Sequence, residues 1–204
     1  MLLNVAKQTP EHKVLIDVPM PIKTPRLVLR PPQQGDGAAL HEAKMESLED
    51  LKKGMPWAHK PHSVEADEAT CREKQAAYIL REDLMLFAFV GDKLVASTGI
   101  HRFDWELRSF EIGYWVRSSE TGKGYATEIA TALAHYAFKA LNANRVFIMH
   151  DDANKASGAV IKKVGFNYVG LAPSSALGVD GQPVNIKHYA FTNPKDVPTL
   201  SVSW

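Results

Sequence analysis

The sequence predicts one domain of the α/β, or equally the α+β, class, built on a mixed sheet. Its 204 residues suffice for one large core and are too few for two independent enzymes. Strands alternate with helices in the second half, which requires at least one parallel pair of strands, while a hairpin in the first half requires antiparallel pairing. We predict an N-terminal arm or edge strand over residues 1–23, the folded domain over residues 24–192 and a C-terminal tail over residues 193–204.

Composition and charge exclude several classes of protein. With 45% hydrophobic and 23% charged residues, the chain is neither collagen-like, disordered nor a coiled coil. A formal net charge of +1 lacks the basic footprint of a duplex nucleic-acid binder, and the longest apolar run, Leu84–Val90, is too short to cross a membrane. Residues Met1–Gln8 lack the features of a secretory signal. The single cysteine, Cys71, is expected to be a packing residue in a reducing compartment, which predicts a cytoplasmic protein.

The first elements follow from prolines and capping residues. Prolines interrupt the arm, and the Arg-Leu-Val-Leu-Arg segment at residues 26–30 predicts the first strand of the domain. A short helix is expected over Gly35–Lys44. The loop Gly54–His62 contains two prolines and is expected to lack regular structure while it packs over the domain. Ser63 can cap the next helix, which is expected to run to about Asp83.

In the remaining segments, the spacing of apolar residues alternates between the two-residue period of strands and the 3.6-residue period of helices. Met85–Val90 and Lys93–Ile100 flank a Gly-Asp turn and predict a hairpin, with Ser109–Val116 as the next strand. Apolar residues recur at helical spacing in the segment that follows the glycine-bearing loop at residues 117–125. The later predicted elements are a helix over Ala126–Asn142, a strand over Arg145–His150, a helix over Asn154–Val164 closed by Gly165, and a strand over Pro183–Thr192.

The loop before the long helix favours a cradle for pyrophosphate. Gly122 and Gly124 let the backbone approach a ligand closely, and the unpaired amides of a helix N-terminus attract phosphate oxygens. Two glycines also make an ordinary strand-to-helix turn, so both interpretations stay open. A P-loop requires Ser or Thr after its lysine, where Gly124 follows Lys123, and a dinucleotide fingerprint requires a third glycine. A protein that binds ATP or GTP is therefore the weaker alternative.

Four motifs follow one another at consistent spacing: Glu111–Val116, Gly122–Glu128, Asn154 with Ser157, and Lys163–Phe166. Together they resemble the GNAT superfamily of acetyl-CoA-dependent N-acetyltransferases. The opening segment Thr24–Pro31 and the Pro56–Trp57 loop extend the likeness over about residues 14–192 and indicate the RimJ/RimL branch, which acetylates protein N-termini. The resemblance implies a central, mostly antiparallel sheet with splayed middle strands and flanking helices.

The resemblance also implies acetyl-CoA as cosubstrate and no metal. The pantetheine arm is expected between the strand of Val116 and the strand of Ile148, with Val116 pairing to it through the backbone. Asn154 is expected to contact the pantetheine or the adenine-ribose end, although it is equally suited to capping a helix. Ser119 replaces the usual Gln or Arg, which puts the cofactor affinity in question. The residues expected around the pyrophosphate are Gly122, Lys123, Gly124, Tyr125 and Ala126.

Two residues are candidates for the chemistry. By resemblance, Ser157 hydrogen-bonds the departing thiolate, and its alternative is an ordinary polar residue in a first helical turn. Glu111 can take a proton from the incoming ammonium, directly or through water, and its alternative is a cross-strand salt bridge. Deprotonating an α-amine with a pKa near 7.8 at neutral pH costs roughly 1 kcal/mol, against about 4.6 kcal/mol for a lysine. This difference favours an α-amine as the acceptor.

The sequence gives fewer indications of the residues that bind the acceptor amine. Trp57 and His101 are expected to border the acceptor cleft, although Trp57 is also suited to plugging the edge of the core. The histidines lack the spacing of metal ligands. A peptide N-terminus is the preferred acceptor; a small-molecule amine and a non-catalytic acyl-CoA-binding module are the alternatives. Neither nucleic acid nor a membrane is expected as a partner, and a homodimer through the proline-rich arm stays open.

Overall fold

The structure is a computed structural model that describes residues 11–204, so the part of the predicted arm before residue 11 lies outside the described residues. Within that range, eight strands form one sheet in the order β1-β2-β3-β4-β5-β6-β8-β7. The strands are β1 (Ile22–Lys23), β2 (Val28–Arg30), β3 (Leu84–Val90), β4 (Lys93–Asp104), β5 (Ser109–Val116), β6 (Arg145–Asp151), β7 (Asn167–Leu177) and β8 (Pro183–Phe191). The α-helices are α1 (Gly37–Glu46), α2 (Leu48–Leu51), α3 (Val64–Ile79), α4 (Tyr125–Lys139) and α5 (Lys155–Val164).

The predicted fold class is confirmed, since a mixed, mostly antiparallel sheet is flanked by helices in a single domain. Two local expectations are wrong, and one strand was missed. The helix capped by Ser63 ends at Ile79 and not near Asp83. The loop over residues 54–62 contains a short 3-10 helix, Pro56–His59, because a proline at the first helical position has its φ already set for a helical turn. Strand β7 was not predicted, because most of its side chains are exposed and give no alternating pattern, and pairing with β8 holds it in place.

The middle of the sheet forks between β5 and β6. These parallel strands pair only at Ser109–Arg145, Phe110–Val146 and Glu111–Phe147. Beyond that point β5 stays paired with β4 as far as Val116, and β6 stays paired with β8 as far as Asp151. The two central strands therefore separate, as the resemblance implied, and each turns an unpaired backbone edge toward the gap.

Helices cover both faces of the sheet. Helix α4 is buried along nearly its whole length and packs with Ile112 and Ile148 in the larger hydrophobic cluster. On the opposite face, α1 and α3 pack with Phe87 and Trp115 around the smaller cluster. Cys71 lies in this second cluster, and burial raises the pKa of its thiol to about 12, so it acts as a packing residue.

The arm and the tail pack against the same chain. Ile16 and Val18 are buried in the larger cluster, and Lys23 forms an isolated β-bridge with Ser203. The ring of Trp204 meets that of Tyr136 edge-on at 5.3 Å. The described part of the arm therefore docks on its own core, while dimerisation and the three-part division of the chain stay predictions.

Candidate active site

The fork opens in the centre of the sheet, where strands are ordinarily the most buried. Residues Gly113–Val116 of β5 are nevertheless only half-buried. Because side chains alternate along a strand, Glu111, Gly113 and Trp115 face α1 and α3, while Tyr114 and Val116 face α4 and α5. The fork can thus be reached from two sides, and the two predicted catalytic residues, Glu111 and Ser157, belong to opposite faces.

A row of unpaired amides lies at the end of β5. Gly122 and Gly124 have φ of +76° and +84°, a left-handed conformation that favours glycine. The first intrahelical acceptor is Gly124, whose carbonyl accepts from Glu128, and the amides of residues 122–127 have no acceptor among residues 11–204. Six successive N–H groups at the positive end of a fifteen-residue helix are suited to binding phosphate oxygens.

Acidic side chains hold this loop from behind. The Glu46 carboxylate accepts hydrogen bonds from the Ser119 amide at 2.9 Å and from Arg117. Burial opposes ionisation of Glu46, but these hydrogen bonds dominate and lower its pKa to about 2. On the other side, Arg26 donates to the Lys123 carbonyl at 2.9 Å and binds the buried carboxylate of Glu128. The loop is therefore fixed at both ends.

The Lys123 side chain is already paired. Its Nζ lies 2.8 Å from Glu120 Oε2, while Lys93 Nζ lies 2.6 Å from the other carboxylate oxygen. These hydrogen bonds lower the pKa of Glu120. The charge of Lys123 is thus balanced by Glu120, and its backbone amide is left without an acceptor among residues 11–204.

Asn154 caps α5, which is one of its two predicted roles. Its side-chain Oδ1 accepts a hydrogen bond from the Ser157 amide at 3.0 Å. Ser157 is half-buried near the Tyr114 hydroxyl, which is itself buried and has no hydrogen bond of ordinary geometry within the described part of the chain. Burial raises the pKa of Tyr114, and the Ser157 side chain opposes that shift. Two hydroxyls therefore lie together on the α5 side of the fork.

Glu111 forms a cross-strand salt bridge, which is the alternative that the sequence left open beside a catalytic role. Its side chain is only 4% exposed, and both oxygens bind the Arg102 guanidinium, Nε at 2.6 Å. Arg102 lies at an irregularity of β4 and has a positive φ of +39°. The pairing raises the pKa of Arg102. Glu111 is thus held by a cation, and its role as a base stays a prediction.

Aromatic side chains gather on the α1 and α3 side. Trp57, in the 3-10 helix, lies 6.3 Å from Trp115 between ring centroids and 6.4 Å from His62. Lys44 Nζ lies 5.0 Å from the Trp57 ring centroid. His101 lies on the same face, with Nδ1 2.6 Å from Asp83 Oδ1. The structure thus places Trp57 and His101 on the same side of the fork, the side covered by α1 and α3.

Sequence reasoning missed the residues that hold the site in place. Arg26, Glu46 and Glu120 fix the glycine loop, and Asp83 orients His101. No local motif marks Arg26, Glu46 or Asp83, because their partners lie 97, 73 and 18 residues away in the chain. Glu120 binds Lys123 within the loop and Lys93 outside it. Residues 11–204 contain no group of three or more His, Cys, Asp or Glu side chains able to hold a metal ion. None of the helices in that range is both long and apolar enough to cross a membrane.

A sheet that forks beside a glycine loop with free amides is typical of a protein that binds an extended, phosphate-bearing ligand. The ligand can lie along the unpaired strand edges, with its phosphates at the loop. Comparison with known proteins then identifies the family. The acetyltransferase (GNAT) domain family matches residues 26–167, more than half of the chain. The chain belongs to the GNAT acetyltransferase family.

Three relatives illustrate the branch. The Bacillus subtilis protein named "Putative ribosomal N-acetyltransferase YdaF" is 28% identical over 156 residues, which cover 76% of this chain and 85% of that protein. The Escherichia coli ribosomal-protein-serine acetyltransferase is 26% identical over 119 residues, 57% of this chain and 65% of that enzyme. The structure of Mycobacterium smegmatis RimJ in complex with CoA-disulfide has a TM-score of 0.79 and 27% identity, covering 92% of each chain. These relatives confirm the RimJ/RimL-type resemblance.

Proposed function

We propose that this protein transfers the acetyl group of acetyl-CoA to the α-amine of a protein or peptide N-terminus, by direct attack of the amine on the thioester. The observation that carries the proposal is the fork: β5 and β6 part after Glu111, next to six amides that have no acceptor within residues 11–204. A solved relative binds a ligand of the coenzyme A class, since M. smegmatis RimJ was solved in complex with CoA-disulfide.

Each predicted cofactor-binding residue has a part in this proposal. The amides of Gly122, Lys123, Gly124, Tyr125 and Ala126 hold the pyrophosphate, because anions are favoured at a helix N-terminus. The free edge of β5 at Val116 pairs with the pantetheine arm as a neighbouring strand would. Asn154 fixes the start of α5 and thereby the position of Ser157, whose hydroxyl hydrogen-bonds the departing thiolate.

The α-amine is the acceptor that the chemistry favours. With a pKa near 7.8, about one α-amine in seven is already the free base at pH 7, so the site needs only a weak base. Trp57 and Trp115 offer an aromatic wall on the open face, and aromatic side chains bind a peptide with little loss of conformational entropy. Two relatives are named as ribosomal or ribosomal-protein acetyltransferases, which supports a protein N-terminus over a small amine. The proposal places the reaction in the cytoplasm, in keeping with a single free cysteine.

A thermal-shift comparison tests cofactor binding. A ligand that binds only the native state stabilises it by an amount that grows with ligand concentration. We expect acetyl-CoA and CoA to raise the melting temperature, and ATP and GTP to leave it unchanged. Stabilisation by ATP or GTP alone contradicts the assignment of the glycine loop to the pyrophosphate of CoA.

An acceptor panel then tests the transfer. The protein is incubated with acetyl-CoA and with N-terminal peptides, polyamines, free amino acids and lysine-containing peptides with blocked N-termini, and the products are read by mass spectrometry. Acetylation of the N-terminal α-amine is the expected result. Faster acetylation of a small amine overturns the acceptor class, and CoA binding without transfer to any amine identifies a non-catalytic acyl-CoA-binding protein.

A further inference from the structure

The His101 ring packs over two glycines, next to the point where β5 and β6 separate. His101 pairs across strands with Glu111, the last residue of β5 that pairs with β6. A Cβ on Gly99 would lie 2.9 Å from ring atoms Cε1 and Nε2 of His101, and a Cβ on Gly113 would lie 3.0 Å from ring atom Cδ2. These glycines face each other on β4 and β5, so the absence of both side chains creates the space for the imidazole.

Asp83 sets the orientation and the tautomer of this ring. His101 Nδ1 lies 2.6 Å from Asp83 Oδ1, and Lys74 Nζ lies 2.6 Å from Asp83 Oδ2. Burial disfavours the charged form of Asp83, yet the hydrogen bonds from His101 and Lys74 prevail and lower its pKa. An ionised carboxylate only accepts hydrogen bonds, so the ring nitrogen that faces Asp83, Nδ1, carries a proton, and the tautomer with its lone pair at Nε2 is the one that this contact selects.

The Nε2 atom is available for a proton. It has no hydrogen-bond partner among the described residues, and the His101 side chain is 28% exposed, so solvent reaches the ring. Glu111 on the same face is only 4% exposed and both its oxygens bind Arg102. The charged groups around the imidazole are therefore Asp83 with Lys74 from one side and Glu111 with Arg102 from β5 and β4.

We propose that His101, and not Glu111, removes the proton from the incoming amine, with Asp83 as its positioning residue; this inference rests on the proposed function. In the tautomer that Asp83 selects, Nε2 takes one N–H proton from the acceptor ammonium and releases it to water. The free amine then attacks the thioester carbonyl, so that the C–N bond forms and the C–S bond breaks. The second N–H proton ends on the CoA thiol, which balances acetyl-amine, CoA and one released proton.

The chain contains a matched control for this group. His41 on α1 places its Nδ1 2.8 Å from Asp67 Oδ2, and Lys44 binds the other oxygen of that carboxylate. This His-Asp-Lys arrangement repeats that of His101, Asp83 and Lys74, but it joins helices α1 and α3 and contains no residue of β4 or β5. The variant His41→Gln therefore removes an equivalent imidazole without touching the proposed proton acceptor.

The test compares steady-state kinetics of wild type, His101→Gln, Asp83→Asn and His41→Gln with an N-terminal peptide as acceptor. For His101→Gln we expect kcat at pH 7 to fall about 100-fold or more, the usual loss when a general base is removed, with unchanged acetyl-CoA thermal stabilisation. Asp83→Asn lowers kcat about tenfold or more and alters the pH profile, because the tautomer is no longer fixed. His41→Gln stays within about twofold of wild type.

The pH dependence separates a lost base from a damaged fold. Near pH 9 the α-amine, with a pKa of about 7.8, is largely free base, so His101→Gln recovers to within about tenfold of wild type. A misfolded variant does not recover. Retention of more than half of the wild-type kcat at pH 7 in His101→Gln overturns the proposal, as does an acid-side defect that appears in Glu111→Gln and not in His101→Gln. Failure of the wild type to acetylate any amine overturns the proposed function as well.

Discussion

Substituting Gly122 by alanine tests whether the free amides of the loop bind the cofactor. Gly122 has φ of +76°, and a Cβ there would meet no atom within 4 Å, so the substitution costs backbone strain alone. An L-residue in this left-handed conformation loses about 1 kcal/mol. For a chain of 204 residues that lowers the melting temperature by about 2–4 °C. Gly122→Ala is therefore expected to fold.

The expected loss in binding is larger than the loss in stability. The alanine draws the loop away from the left-handed conformation and removes one amide hydrogen bond to phosphate, worth about 1.5–3 kcal/mol. The acetyl-CoA affinity of Gly122→Ala should fall about 10- to 100-fold, since 1.4 kcal/mol corresponds to about tenfold. Isothermal titration calorimetry measures this directly.

Gly181 provides the control, because it has the same φ of +76° and equally open surroundings, in the turn between β7 and β8. Gly181→Ala should lose the same stability and keep wild-type affinity. If Gly122→Ala and Gly181→Ala bind acetyl-CoA equally well, the loop amides are not the pyrophosphate site.

Three further outcomes are expected. Ser157→Ala should lower kcat about three- to tenfold at an unchanged KM for acetyl-CoA, because a thiol of pKa near 8.5 is already a fair leaving group; unchanged turnover removes the catalytic role of Ser157. Glu46, with its pKa lowered from 4.5 to about 2, stabilises the fold above about pH 4.5 and loses this effect as the pH falls toward 2. After allowance for solvent screening, this effect is on the order of 1 kcal/mol. Denaturant unfolding should therefore show that Glu46→Gln has a lower free energy of unfolding than wild type, by an amount that shrinks in acid. A difference in unfolding free energy that does not change with pH contradicts the assignment. Trp57→Ala should raise the KM of a peptide acceptor about tenfold and leave acetyl-CoA binding unchanged, and an unchanged acceptor KM removes Trp57 from the acceptor site.

The parts of the fold that the sequence predicted are those with local causes. Strand β5, the glycine loop and α4 follow one another within residues 109–139, and each is specified by its own period, glycines or cap. The fork itself was expected through family resemblance, since no local pattern indicates where two paired strands separate. Strand β7 escaped prediction because its exposed side chains carry no burial signal.

The support of the site could not be predicted for a different reason. Arg26 and Glu128 are 102 residues apart in the chain, and Glu46 and Ser119 are 73 residues apart. Their pairing depends on which helix packs against which strand, so the residue types alone do not reveal it. His101 was predicted to lie on the acceptor side, but the Asp83 contact that gives its ring a defined tautomer is visible only in the folded chain.

The three residue pairs between β5 and β6 have a consequence for the cohesion of the whole protein. The segments β1–β5 and β6–β8 are each held by antiparallel neighbours and meet at a narrow seam, with α4 packed across it and one hydrophobic cluster shared by both segments. An extended ligand lying in the gap supplies the backbone partner that neither strand finds in the other. We therefore expect acetyl-CoA to slow hydrogen exchange and proteolysis along the two edges of the gap, because a ligand that binds only the native state stabilises it.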